Sequence, residues 1–314
     1  MELRQLGTSD LKVSVIGLGC NNFGGRIDLD ATRTVIDATL ALGVNHLDTA
    51  DIYGGGGNSE DFIGQCLGAR RKDVVLATKF GKPMADHPAD RRGTRAYIHA
   101  AVEASLRRLR TDWIDLLYMH EPDPGTGIDE SLRAVEDLRA AGKVRAFAGS
   151  NFSAGETGDA VEAARRLGIR GFVATQDEYS LLARGIEDAL LPVLETHRLS
   201  LVPYFPLASG ALSGKYRKDR PMPEGTRLAG SAKYAERYFS GPTADTVEAL
   251  IGFAESRGHT LLELALSWLA ARPQVASIIT GATKPEQIAA NVAAVNWKLS
   301  ADERAEVDRI TRGP

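Results

Sequence analysis

The sequence predicts an α/β chain folded as a (β/α)8 TIM barrel with an N-terminal β-hairpin and a long loop after strand 7, on three observations. Eight strand-then-helix units follow one another after the hairpin. Their strand segments are apolar almost throughout, as strands buried on both faces of a parallel sheet must be. Their C-terminal residues are repeatedly polar: Asp48, Lys79, His120, Ser150 and Asn151, Gln176, Thr280. In a barrel these positions converge on one mouth. In an open sheet they would spread along an edge at roughly 4.8 Å per strand, too far apart for one small ligand. No shift in composition divides the chain, so residues 1–314 read as one barrel domain.

Residues 3–6 and 11–15 are strand-like pieces around Gly7-Thr8-Ser9-Asp10, a turn cluster. Residues 15–19 (VIGLG) make the first barrel strand, and 30–42 a helix closed by Gly43. The units then repeat. Strand 44–48 precedes helix 59–67, which Gly68 ends; strand 73–79 (DVVLATK) precedes helix 94–109. Strand 114–120 (IDLLYMH) precedes helix 129–141, and strand 144–150 precedes helix 154–167. After strand 172–176 comes a helical stretch, 185–197, that Pro192 is expected to bend. Strand 199–205 leads into an irregular piece, 213–242, of the length of a functional loop. Helices 244–256 and 261–271, strand 275–280 and a helix starting at Pro285 complete the pattern.

Composition narrows the function classes. Hydrophobic residues are 43% and charged residues 25% of the chain, the balance of a water-soluble globular protein. A net charge of −3 argues against a nucleic-acid or anionic-membrane partner. Cys20 and Cys66 form no CxxC pair, so no metal site or disulfide framework is expected, and the setting reads as reducing and cytoplasmic. The start, MELRQLGTSDLKVS, lacks the apolar core of a signal peptide, and no apolar run is long enough to span a bilayer.

The chemistry is carried by neighbouring strand ends. Asp48, Lys79 and His120 close the second, third and fourth barrel strands, and Tyr53 follows on the loop after Asp48. Singly, each is an ordinary solvated polar residue; together, at adjacent strand ends, they come within reach of one another. The set suits reduction of a carbonyl. A phenol with a pKa of about 10 is a poor acid near neutrality. An ammonium about 4 Å away interacts with phenolate by roughly 4 kcal/mol at an effective dielectric near 20, enough to bring that pKa down by up to about 3 if nothing opposes it. Burial opposes it. Asp48 would hold Lys79 charged, and a neutral or proton-sharing His120 would orient the carbonyl.

A hydride source is then required. Gly17-Leu18-Gly19-Cys20-Asn21-Asn22 nearly matches GxGxxG, but Asn22 stands where the third glycine belongs, so a tight strand-to-loop turn is the better reading. Gly54 to Gly57 read as a loose exit from the strand rather than a phosphate cradle. Gly281-Ala282-Thr283-Lys284-Pro285, ahead of a helix N-terminus, fits either a phosphate site or an ordinary helix cap.

These residues lie in blocks that resemble the aldo-keto reductase family, specifically its channel β-subunit-like branch: NHLDTADIYG (45–54), ATKFG (77–81), RTDWIDLLYMHEPDP (110–124), GKVRAFAGSNF (142–152), PLASGALSGKY (206–216) and GATKPEQIAANV (281–292). The resemblance implies a catalytic tetrad of Asp48, Tyr53, Lys79 and His120, with NADPH extended across the barrel mouth. It places Ser150, Asn151 and Gln176 on the nicotinamide carboxamide and Tyr204 against the ring. Leu207, Ser209 and Lys215 would line the pyrophosphate, and Thr283, Lys284, Gln287 and Asn291 the adenosine 2′-phosphate and adenine. Gly19, Cys20, Phe205 and Gly281 complete the implied cofactor set, and Asn22 and Phe23 the substrate pocket. Two departures bear on the cofactor: Phe205 stands where the family often has Ser, and Ala290 where a Glu often meets adenine.

The function this implies is NADPH-dependent reduction of aldehydes or ketones, with Tyr53 as proton donor and a small-molecule carbonyl or alcohol as substrate. Two alternatives stay open: an NADPH-binding sensor or interaction module with slow turnover, and an NAD(P)-dependent sugar or alcohol dehydrogenase. The pocket loops 82–92 and 213–242 carry no pattern that names a substrate, and nothing in the chain speaks to oligomeric state.

Overall fold

In the computed structural model, residues 1–83 and 91–312 are described. Two short antiparallel strands, β1 (Leu3–Gln5) and β2 (Lys12–Ser14), come first. Eight parallel strands follow: β3 (Ile16–Gly19), β4 (His46–Asp48), β5 (Val75–Phe80), β6 (Ile114–Met119), β7 (Val144–Ser150), β8 (Phe172–Gln176), β9 (Ser200–Leu201) and β10 (Ile278–Gly281). Each lies beside its sequence neighbour, and β10 returns to pair with β3. The sheet closes between β9 and β10 through Leu201 N to Gln274 O (2.7 Å), Ala276 N to Leu201 O (3.0 Å) and Ile279 N to Pro203 O (3.0 Å). This is the (β/α)8 barrel that the repeat pattern predicts.

A single tight turn, α2 (Tyr53–Gly56), lies at the mouth, and helices clothe the outside: α1 (Leu29–Ala41), α3 (Asn58–Leu67), α4 (Arg95–Leu109), α5 (Ile128–Ala140), α6 (Ala154–Leu167) and α7 (Leu190–His197). They continue with α8 (Ala232–Tyr238), α9 (Gly241–Glu255), α10 (Leu261–Ala270), α11 (Pro285–Ala293) and α12 (Ala301–Arg312). Local sequence sets their ends. Ser153 with Glu156, and Thr260 with Glu263, form capping boxes that satisfy otherwise orphaned N–H groups of α6 and α10. None of the described helices is long and apolar enough to cross a membrane.

The hairpin plugs the N-terminal end of the barrel. Leu6, Leu11 and Val13 join an interior cluster with Val75, Leu116, Tyr118, Val173 and Val202. Gly7, with φ +51°, donates its N–H to Ser200 Oγ (2.8 Å), and a Cβ there would lie 1.9 Å from the Val173 carbonyl oxygen. Only glycine fits so close an approach at that backbone angle.

Several details differ from expectation. Pro192 is the third residue of α7, within its first turn, where no intrahelical N–H is missing, so it does not bend the helix. The strand expected over 199–205 is regular for two residues only. Pro203 has no N–H to give, and Phe205 turns the chain at φ +50°. The stretch 213–242 is not structureless, because Ser231 caps α8 within it. Gly54 to Gly57 are not a loose exit: all four have positive φ, and a Cβ on Gly54 would lie 2.6 Å from Phe23 O. Asn58 Nδ2 closes that turn on Gly54 O (2.7 Å). Of the loop 82–92, residues 84–90 lie outside the described residues.

Candidate active site

The parallel register carries the polar strand ends to one mouth. Gly19 is level with Asp48, Asp48 with Ala77, and Lys79 with Tyr118, so neighbouring strands deliver their last side chains to a common height. Alternation along each strand does the rest. His46 and Asp48 on β4, and Val75, Ala77 and Lys79 on β5, face the interior. The mouth opens into a cavity of about 890 Å³ bounded by the strand ends, the segment 204–213, part of the long loop at 225–227, and the start of α11.

Lys79 is the buried centre of the site, 1% exposed. Its Nζ donates to Asp48 Oδ2 (2.6 Å) and to Thr49 O (2.8 Å), and lies 5.1 Å from the centre of the Tyr53 ring. Burial pulls the Lys79 pKa down, but Asp48 and Tyr53 outweigh it and leave it above the usual value. Asp48 is held on its other oxygen by Gln176 Nε2 (2.9 Å). The Tyr53 and His120 rings meet edge to face, 5.9 Å between centres.

Of the two opposing influences on Tyr53, burial and the Lys79 charge, burial is the larger. Burial raises the Tyr53 pKa by more than Lys79 lowers it, with Asp48 adding to the rise. Tyr53 is therefore a neutral phenol that holds its proton until a stronger base forms beside it. His120 is pushed down to about 2, by burial first and then by the charges of Lys79 and Lys82. It is neutral at any working pH. Its Nδ1 is buried without a hydrogen-bond partner among the described residues.

The residues that the sequence assigns to the cofactor and the pocket are placed as follows. Ser150, Asn151, Gln176, Tyr204, Phe205, Leu207, Ser209, Lys215, Gly281, Thr283, Lys284, Gln287 and Asn291 all border the cavity, as do Gly19, Cys20 and Asn22. Some already have protein partners. Ser150 Oγ donates to Gln176 O (2.8 Å), Asn151 Nδ2 to His120 O (2.9 Å), and Tyr204 OH to Asn151 Oδ1 (2.8 Å). The Cys20 thiol points to Leu18 O (3.4 Å), and burial raises its pKa well above normal. Phe23 is the exception. It is 0% exposed within the outer hydrophobic core, because the turn at 22–27 folds it inward, and it does not border the cavity.

The structure adds residues that sequence reasoning passed over. Arg26, Lys82, Glu121 and Arg227 border the cavity. The Arg227 guanidinium lies 5.7 Å from the Phe205 ring centre and 5.8 Å from that of Tyr234. No local motif marks it, since its position is set by α8 packing behind it.

Behind Tyr53 lies a second acidic group. Asp51 is 1% exposed, and neither carboxylate oxygen makes a hydrogen bond of ordinary geometry, although the Ile52 N–H lies nearby. Burial, then the charge of Glu60, raises its pKa to about 7, against the pull of Arg108 and Lys79. Glu60 is itself occupied, accepting from Thr78 Oγ1 (2.5 Å) and Arg108 Nε (2.6 Å). A carboxyl whose folded pKa exceeds its unfolded pKa, about 3.9, costs stability as pH rises between the two values. Asp51→Asn is therefore expected to raise the unfolding free energy obtained by urea titration relative to the parent at pH 8, by at most about 4 kcal/mol, with this pH-dependent gain vanishing near pH 4. A difference that does not vary with pH would contradict this.

Comparison with known proteins agrees with the geometry. The chain is 36% identical over 305 residues to a probable voltage-gated potassium channel subunit beta of Arabidopsis thaliana, covering 94% of this chain and 92% of that protein. It is 34% identical to the uncharacterized oxidoreductase YqkF of Bacillus subtilis (strain 168), over 96% and 94% of the two chains. With L-glyceraldehyde 3-phosphate reductase of Escherichia coli (strain K12) it shares 30% identity over 98% and 92%. The sequence pattern of the aldo/keto reductase family matches residues 15–312, nearly the whole barrel, and the chain belongs to that family of oxidoreductases.

Proposed function

We propose that this protein is an NADPH-dependent reductase of aldehydes or ketones. The observation that carries the reading is a neutral phenol, Tyr53, at the wall of the cavity and backed by the fully buried Lys79 ammonium. A bound nicotinamide dinucleotide would supply the hydride. Tyr53 would then give its proton to the alkoxide oxygen as charge develops there, and Lys79 would stabilise the phenolate left behind. Asp48 fixes Lys79 in place, and neutral His120 is free to hold the carbonyl oxygen by a hydrogen bond.

The residues fit a phosphorylated dinucleotide. Lys215 and Arg227 border the cavity and suit a pyrophosphate. Thr283 and Lys284 stand at the start of α11, where backbone N–H groups and the helix dipole favour a phosphate monoester. Gln287 Oε1 accepts from Thr283 N (2.7 Å) and Oγ1 (3.2 Å), which shapes that turn. Lys284→Met is expected to raise the Kd for NADPH about tenfold and leave that for NADH unchanged, measured by nicotinamide fluorescence. Equal weakening of both would remove Lys284 from the 2′-phosphate and the preference with it.

Relatives named as channel subunits suggest a second reading, a cofactor-binding partner protein with slow turnover. The assembled Asp48–Lys79–Tyr53 group favours chemistry over binding alone. Rapid multiple turnover of NADPH with 4-nitrobenzaldehyde would decide for the reductase; a single slow turnover would decide for the partner protein. Both cysteines are free and buried, which fits a reducing, cytoplasmic setting.

A further inference from the structure

The cavity carries more positive charge than a phosphorylated dinucleotide can balance. Arg26, Lys82, Lys215, Arg227 and Lys284 all border it, and none forms an ion pair with a carboxylate among the described residues. Its two carboxylates are already taken: Asp48 is held by Lys79 at 2.6 Å, and Glu121 by Arg92 at 3.1 Å. Among the described residues, five cations therefore face the cavity without an ion pair of their own. A pyrophosphate brings about two negative charges and a 2′-phosphate about 1.5 to 2 at pH 7, leaving roughly one cation over.

Position identifies the surplus cation. Lys215 and Arg227 belong to the long loop, and Arg26 is close enough that its charge is felt at Arg227. Lys284 stands at α11. Lys82 is elsewhere, at the catalytic end. The β5–β6 pairing sets Lys79 level with Tyr118 and Phe80 with Met119, and His120 N donates to Phe80 O (2.8 Å). Continuing that register puts Gly81 beside His120, where a Cβ would lie 3.8 Å from His120 N, and Lys82 beside Glu121. Lys82 thus stands next to the group assigned to the substrate carbonyl.

We infer that the carbonyl substrate itself carries a negative charge, a carboxylate or a phosphate, and that Lys82 recognises it. This rests on the reductase reading and gives it a substrate class. Lysine suits the role because a flexible ammonium binds either anion as a point charge, without demanding a forked geometry.

The test compares matched aldehydes with NADPH and the full chain. 4-Carboxybenzaldehyde is set against methyl 4-formylbenzoate, and glyceraldehyde 3-phosphate against glyceraldehyde. The anionic member of at least one pair should be favoured in kcat/KM by about tenfold or more, chiefly through KM. The pair that shows the preference tells carboxylate from phosphate. In Lys82→Gln the ratio should fall toward one, and in Lys82→Arg much of it should return. Because each ratio is taken within one protein, a general loss of activity cannot imitate the effect. Reduction of the neutral members with no anionic preference, or a preference that survives Lys82→Gln, overturns the inference and leaves the reductase intact. Failure to reduce any of the four overturns both.

Discussion

Tyr53→Phe is expected to cut the rate of aldehyde reduction by about 10² to 10⁴ while leaving NADPH binding unchanged. The substitution removes one oxygen and the proton it carries, and keeps the ring that packs edge-on to His120. Neither of the two groups against its ring is placed to take over. His120, driven down to about 2, has no imidazolium proton to give at neutral pH, and Lys79 is committed to Asp48 and Thr49. The loss should appear in kcat, because an interaction made only as the alkoxide forms does not stabilise bound substrate. Cofactor titration by fluorescence, run beside the steady-state assay, separates the two quantities. Full activity in the variant would end the assignment of Tyr53.

Lys79→Met should be costly in a different way. It leaves the Asp48 carboxylate, 2% exposed, with Gln176 Nε2 as its remaining side-chain donor. Breaking one side of a buried ion pair typically costs about 3–5 kcal/mol, so the urea midpoint should fall steeply. Activity should fall with it, because the charge that stabilises phenolate is gone. The double variant Asp48→Asn/Lys79→Met separates the effects. Removing both charges should recover much of the stability, since an uncompensated ion is worse than none, yet recover no activity. A double variant as unstable as the single one would mean that packing of the lysine stem, rather than charge, holds this site together.

Much of this arrangement was legible because parallel strands encode their own ends. An apolar run that stops at Asp48, Lys79 or His120 marks both the strand and the mouth it opens onto. What was not legible depends on contacts distant in the chain. The acidity of Tyr53 is a contest between burial and Lys79, and only the packed site shows that burial wins. Phe23 follows Asn22 in sequence but turns into the core, a choice made by a loop with no strong pattern. Arg227 sits in a stretch whose order comes from α8 and its aromatic residues Tyr234 and Tyr238. The last helix, α12, is a different kind of omission. Ser300 and Glu303 exchange hydrogen bonds with each other's backbone N–H, and their S-x-x-E spacing is itself a helix-start signal.

The plug at the base of the barrel also has a consequence in time. Residues near Gly7 leave the ribosome long before Val173 and Ser200, which they will press against, have been translated. At about 5–20 residues per second the hairpin waits on the order of ten seconds or more with its apolar side unmet. Leu6, Leu11 and Val13 are therefore available to chaperones for most of synthesis, and the barrel floor is laid only when the walls are nearly complete.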